Sequence, residues 1–155
     1  MLADGCNIQC TLMSSSYQFV TSLKISSTPR DICVIGDLEG AVSSCQNNTI
    51  QILSVKDDMI SPVRTLTTNF TSCQRISSAW TGNIAVTGHC DGQMVCWSIL
   101  STEGEVKASY QYDYGGICLL SPVIKIEENT LRLRAEMHLD NGDLGLANLS
   151  GNTLV

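Results

Sequence analysis

Gly40-Ala41-Val42-Ser43-Ser44-Cys45-Gln46-Asn47-Asn48-Thr49-Ile50-Gln51-Ile52-Leu53 is the stretch on which the fold turns. A small and β-branched run, a two-asparagine break and a second run of alternating apolar residues make two short antiparallel strands joined by a tight turn. The motif returns twice. At a shift of 44, Ala41-Val42 falls on Ala85-Val86, and the same shift carries Asn48, Ile50 and Ile52 onto Gly92, Met94 and Cys96. A shift of 50 then takes Ala85 to Ala135, Asp91-Gly92 to Asn141-Gly142 and Met94 to Leu144.

Around this hairpin no segment sustains apolar residues at helical spacing, whereas short β-branched runs bounded by Gly, Asn, Asp and Ser recur, so the chain is expected to be all-β. Predicted strands are Tyr17–Ile25, Asp31–Ile35, Gly40–Cys45, Thr49–Val55 and Val63–Thr68, then Gln74–Ala79, Asn83–Gly88, Gln93–Leu100 and Glu105–Gln111. The last third gives Pro122–Glu127, Thr130–Met137, Asp143–Leu149 and Asn152–Val155. Four antiparallel strands in each repeat of this size predict β-propeller blades, since a neighbour on either side covers both faces of one small sheet. The competing all-β architecture, a sandwich, does not require a repeat register. The expected organisation is a single partial propeller over 1–155: the end of a preceding blade at 7–25, blades at 30–68 and 74–111, and a degenerate blade at 117–155. That amounts to about three and a half blades, fewer than the four a closed ring needs. The expectation is an open arc that self-associates or belongs to a longer chain, the final strand stopping at Leu154-Val155 without a polar cap. Ile50, Ile52, Val86 and Met94 are the expected interblade core, and Trp97 is expected to pack with them.

Pro29-Arg30-Asp31-Ile32-Cys33-Val34 followed by Asn48-Thr49-Ile50-Gln51-Ile52-Leu53 resembles an NHL repeat. The stretch Arg30 to Val55 with Gly82 to Gly116 is similar to the degenerate NHL-type propellers of tripartite-motif (TRIM, B-box) proteins. The resemblance implies a recognition module that binds protein partners or single-stranded RNA within a family tied to ubiquitin ligation. The zinc modules that carry ligase chemistry in that family need dense Cys/His hooks, which this sequence lacks. The runner-up is a WD-repeat-like scaffold, because Asp91-Gly92 leads into an apolar strand ending in Trp97. A Trp-Asp dipeptide is absent from the sequence.

Composition narrows the function classes. The 155 residues are 43% hydrophobic and only 15% charged, with nine Lys and Arg against fifteen Asp and Glu for a formal charge of −6. Such a balance disfavours a polyanion-binding surface and leaves RNA as the less favoured partner, a protein as the favoured one. Arg30 and Arg75 both precede a predicted first strand, 45 residues apart, and so are expected on one rim of adjacent blades. With Trp80, an exposed-turn aromatic, they are the candidate binding residues; solvated rim charges paired with Asp31 are the plainer alternative. A third reading is a gene fragment without independent function.

Catalysis and cofactors find no footing: nucleophile elbow, phosphate loop and metalloprotease motifs are missing, and no catalytic residue, metal site or cofactor is assigned. His89 beside Cys90 is read as adjacency at a hairpin end rather than a thiol–imidazole pair. The eight cysteines form no pair of CxxC hooks, and the reading expects mostly reduced thiols. Three sequons, Asn47-Asn48-Thr49, Asn69-Phe70-Thr71 and Asn148-Leu149-Ser150, matter only in a secretory chain. The N-terminal residues lack the basic and apolar regions of a signal peptide, and no apolar run reaches the length of a bilayer span, so a cytoplasmic protein without membrane contact is expected.

Overall fold

In a computed structural model of the chain, the described residues are 1–155 apart from 45, 80–81, 91–93, 114–117, 128–129, 139–143 and 151–155. Side chains are described over 1–109 apart from 45, 74, 80–81 and 91–95. The chain is nearly all β, and among the described residues there is no α-helix.

Among the described residues, four antiparallel sheets follow one another in sequence. The first contains β1 (Leu2–Asp4), β2 (Gln9–Met13) and β3 (Phe19–Lys24). The second is β4 (Pro29–Val34), β5 (Glu39–Ser44), β6 (Thr49–Lys56) and β7 (Met59–Thr67). The third is β8 (Ser72–Ser78), β9 (Asn83–His89), β10 (Met94–Ser101) and β11 (Val106–Asp113). The fourth contains β12 (Cys118–Glu127), β13 (Thr130–His138) and β14 (Leu144–Ser150). Strand order equals chain order in every sheet, the up-and-down connectivity of propeller blades. The sheets pack successively: β3 on β7 and β1 on β4, then β8 on β4 and β5, then β12 on β8. Among the described residues they do not close a ring.

The second sheet shows why the sequence folds this way. Its alternating residues face opposite neighbours, so Val42 and Leu53 join Cys10, Ile25 and Ile60 against the first sheet. Ala41, Ile50 and Ile52 join Phe70, Cys73, Ile76, Ile84 and Val86 against the third. Burial on both faces is what puts apolar residues side by side at Ile52-Leu53, a run that a one-faced sheet would not carry. Ile50, Ile52 and Val86 are buried as expected, as is Trp97, while the Met94 side chain lies outside the described residues.

Turn chemistry places the hairpins. Asn48, Asp57 and Asp58 take left-handed backbone conformations, which asparagine and aspartate tolerate best after glycine. The Asn47-Asn48 turn joins the second and third strands of its sheet; antiparallel pairing of β9 with β10 and of β13 with β14 repeats the arrangement. The Asp91-Gly92 and Asn141-Gly142 turns themselves lie outside the described residues.

Register corrects the repeat alignment in one respect. The shift of 44 holds for the first two strands, since Ile32 opposes Val42 and Ile76 opposes Val86. It fails for the third. Ser43 opposes Ile50, whereas Thr87 opposes Trp97, so Ile50 corresponds to Trp97 and Ile52 to Ile99, not to Met94 and Cys96. Six residues separate Ser43 from Ile50 and nine separate Thr87 from Trp97, and the odd difference puts Cys96 on the opposite face from the one the alignment gave it. Cys96 thereby faces the second sheet with Leu100.

Candidate functional site

An up-and-down sheet has two ends, and the hydrogen bonds identify which turns share each. At one end the β4–β5 loop meets the β6–β7 turn, where the Val55 N–H donates to the Leu38 carbonyl at 2.7 Å. At the other, the Thr68 N–H and hydroxyl both donate to the Asn48 carbonyl, at 2.9 and 2.8 Å, and the Asn48 amide returns a bond to the Thr68 carbonyl. The loop continues to the next sheet, where the Thr71 N–H and hydroxyl donate to the His89 carbonyl at 2.7 and 2.8 Å. This second end is a hydrogen-bonded belt.

Arg30 and Arg75 lie within β4 and β8 rather than ahead of them. Pro29 opposes Ser44 and Asp31 opposes Ser43, which makes Arg30 the extra residue of a β-bulge. In β8 the bulge falls between Cys73 and Arg75, and Arg75, opposite Thr87, takes the place that Asp31 has in β4. Their separation of 45 against a structural repeat of 44 therefore gives the two arginines different stations. Arg30 is exposed and Arg75 half-buried. Asp31 fills the seam between them: its Oδ1 accepts from the Ile32 N–H at 3.0 Å and its Oδ2 from the Ile76 N–H of the next sheet at 3.1 Å. Trp80 lies outside the described residues, as do the side chains of Tyr110, Tyr112 and Tyr114.

The end bearing the β2–β3, β4–β5, β6–β7 and β10–β11 turns was missed by sequence reasoning. Phe19, Met59 and Val106, each the first residue of an outer strand, are 65%, 63% and 54% exposed, and Tyr17 in the β2–β3 turn is 84% exposed. Val34 and Leu38 at the β4–β5 loop are also exposed. Among the residues whose side chains are described, six of the nine large exposed apolar ones thus sit at this end. Carboxylates accompany them: Asp37, Asp57, Asp58, Glu103 and Glu105 are exposed and Glu39 is half-buried. Glu103 pairs with Arg64 and Glu105 with Lys107, leaving Lys56 as the other lysine beside Asp57 and Asp58. Exposed apolar positions carry no helical or strand periodicity, and Leu38 and Met59 fall outside every predicted strand, so nothing in the sequence signalled this end.

Cys10, Cys33 and Cys73 are not poised for chemistry. Burial pushes Cys10 up to about 11 and Cys33 up to about 12, the latter helped by the nearby Asp31 charge. Cys73 is also raised by burial, against a partial opposing effect of its hydrogen bond with the Thr68 hydroxyl. Cys90 is bonded to Cys96 across the β9–β10 hairpin, an exception to the expectation of mostly reduced thiols, and the bond removes any free thiol beside His89. Among the described residues no three His, Cys, Asp or Glu side chains gather as metal ligands, and no helix is long and apolar enough to cross a membrane.

No protein-family model and no curated protein sequence matches the chain. Solved structures do. Hydrazine synthase from Kuenenia stuttgartiensis superposes with a TM-score of 0.67 at 12% identity, over 98% of this chain and 51% of that one. The WD40 domain of Toxoplasma gondii coronin gives 0.66 at 16% identity, over 94% and 41%. A 6-phosphogluconolactonase, so described on a putative basis, from Bacteroides fragilis NCTC 9343 gives 0.61 at 13%, over 97% and 51%. The chain thus spans about half or less of the length of these neighbours, among which enzymes and a WD40 domain share one architecture. At such identities the likeness is one of fold, and the fold is of the β-propeller type.

Proposed function

We propose that the chain is a non-catalytic protein-interaction module, an NHL-like arc of propeller blades of the kind found in tripartite-motif-like proteins. The supporting observation is how its exposed side chains divide. Single-stranded RNA binding needs basic groups and stacking aromatics in one place. Here, among the described residues, Lys24 and Arg30 lie towards the hydrogen-bonded belt, whereas the exposed aromatics Tyr17 and Phe19 lie at the opposite end, where Lys107 and Arg64 are paired with Glu105 and Glu103 and Lys56 stands beside Asp57 and Asp58. Apolar side chains held out on turns of a rigid sheet are what a protein partner uses. The raised thiols and the Cys90–Cys96 bond also speak for binding rather than nucleophilic catalysis.

Panning the intact chain against a random peptide library, beside a poly-U binding assay at low and moderate salt, tests this reading. Enrichment of peptides without poly-U retention is the expected result. Poly-U binding that weakens steeply between about 50 and 200 mM salt, with no peptide enriched, would replace it with the RNA-binding alternative.

A further inference from the structure

We infer that the turn-bearing end around Phe19 and Met59 docks a basic, amphipathic segment of a partner protein, one that presents apolar side chains interspersed with lysine or arginine. The inference rests on the protein-interaction reading and names the face and the chemistry of its partner. Three observations converge on it.

The first is concentration. Both faces of the second sheet are consumed by packing, and exposed large apolar residues are sparse along the strand bodies. They gather at the end made by the β2–β3, β4–β5, β6–β7 and β10–β11 turns: Tyr17, Phe19, Val34, Leu38, Met59 and Val106. Scattered single apolar residues are normal on a soluble surface; a set drawn from three successive sheets to one end marks that end as an interaction face.

Charge is the second. Exposed Asp37, Asp57 and Asp58 stand on the same turns as Leu38 and Met59, and half-buried Glu39 follows Leu38, with Lys56 as the nearby cation. Glu103 and Glu105 are already engaged by Arg64 and Lys107. The excess is negative, so the partner that completes the patch is positive, and an acidic or nucleic-acid partner is repelled.

The third is rigidity. Asp57 and Asp58 form a two-residue turn between the paired residues Lys56 and Met59, both with positive φ. The Leu38 carbonyl is held by Val55 and the Ile35 N–H by the Glu39 carbonyl at 3.0 Å. Tyr17 is pinned by its N–H to the Ser14 carbonyl at 3.0 Å, in a turn closed again by Ser14 and Gln18 at 2.9 Å. Side chains presented on fixed turns lose little entropy on binding.

The test uses the peptides recovered by panning and variants confined to exposed positions. The docking reading expects recovered peptides to be enriched in Lys or Arg together with Leu, Ile, Phe or Trp. Phe19→Ser with Met59→Ser should weaken their binding at least tenfold by fluorescence anisotropy. Asp57→Asn with Asp58→Asn, which keeps residues tolerant of the left-handed turn, should weaken it severalfold and flatten its salt dependence. Arg30→Ala, at the other end, should leave it unchanged, and circular dichroism and melting of every variant should match the parent. Peptides that are acidic, or that bind F19S/M59S normally and lose binding in R30A, would overturn the assignment of the face while leaving the interaction module standing. No enriched peptide, with a dimer by light scattering that F19S/M59S converts to monomer, would show that a second copy covers the patch and overturn the partner proposed. No enriched peptide and an unaltered monomer would overturn both readings together.

Discussion

Asp31 bridges two sheets: one carboxylate oxygen accepts its neighbour's N–H within β4, and the other accepts the Ile76 N–H of β8 at 3.1 Å. The bond ties the seam of two blades to a single side chain. A backbone N–H held by a charged acceptor loses more than a neutral pair when the acceptor goes. Asp31→Ala is expected to lower stability by about 1.5–3 kcal/mol in chemical denaturation, with Asp31→Asn recovering part of the loss because its carbonyl still accepts. Equal losses for the two variants would show that the charge, and not the bond, matters.

Packing between the second and third sheets gives the next expectation. Ile50 and Ile52 are fully buried, and truncating either to Ala should cost about 2–5 kcal/mol. Gly88 is the sharper case, because a Cβ there would collide with the Ser72 carbonyl and crowd the ring of Phe70. Neither the backbone of β8 nor a fully packed ring gives way cheaply, so Gly88→Ala should destabilise by about 1–3 kcal/mol although it adds a single methyl. Val63→Ala, at an exposed site, serves as the control and should stay within about 0.5 kcal/mol.

Thiol ionisation sets a pH window. An acid whose folded pKa is raised leaves stability untouched while both states are protonated. It lowers stability once the unfolded thiol ionises and the folded one does not. With ordinary thiols at 9.0 and Cys10 and Cys33 at about 11 and about 12 in the fold, stability should fall as pH climbs from 9 towards 11 and 12. At neutral pH, alkylation mapped by mass spectrometry should modify exposed Cys6 before half-buried Cys33, with buried Cys10 and Cys73 reacting after unfolding. Rapid labelling of Cys10 or Cys73 in the native chain would contradict their burial.

The Cys90–Cys96 bond closes a short loop over the β9–β10 connection. For a loop of that size chain entropy predicts a contribution of roughly 2 kcal/mol. Reduction, or Cys96→Ser, should lower the melting midpoint and leave the circular dichroism spectrum of a β protein unchanged; an unaltered midpoint would show that the bond adds nothing to the hairpin.

The fold was legible where periodicity carried it. Alternation in Ile50-Gln51-Ile52 and the asparagine turn before it announce a hairpin, and Ala41 and Ala85 mark the second strands at the same station of adjacent sheets. Hairpin length was not legible: nothing in the sequence shows that nine residues lie between Thr87 and its partner Trp97 where six lie between Ser43 and Ile50, so the third strands were aligned on the wrong residues. The strand of Leu2–Asp4 escaped because three residues make no pattern. Arg30 and Arg75 were sought as a pair on spacing alone, and a bulge of one residue separates their stations. The exposed apolar end went unseen for a different reason. Phe19 and Val106 read as ordinary strand residues and Met59 as part of a connection, until the hairpins fix where each strand begins.

The turn at Asp57-Asp58 has a meaning beyond charge. Two positive-φ residues in a two-residue hairpin are best served by Asn-Gly, and adjacent carboxylates repel. Along a chain whose turns, strands and cores otherwise agree with one another, this is a point of local frustration. A sequence chosen for stability alone would write Asn-Gly at 57 and 58, and the blade that carries Asp57 and Asp58 gives up some of its foldedness to keep them.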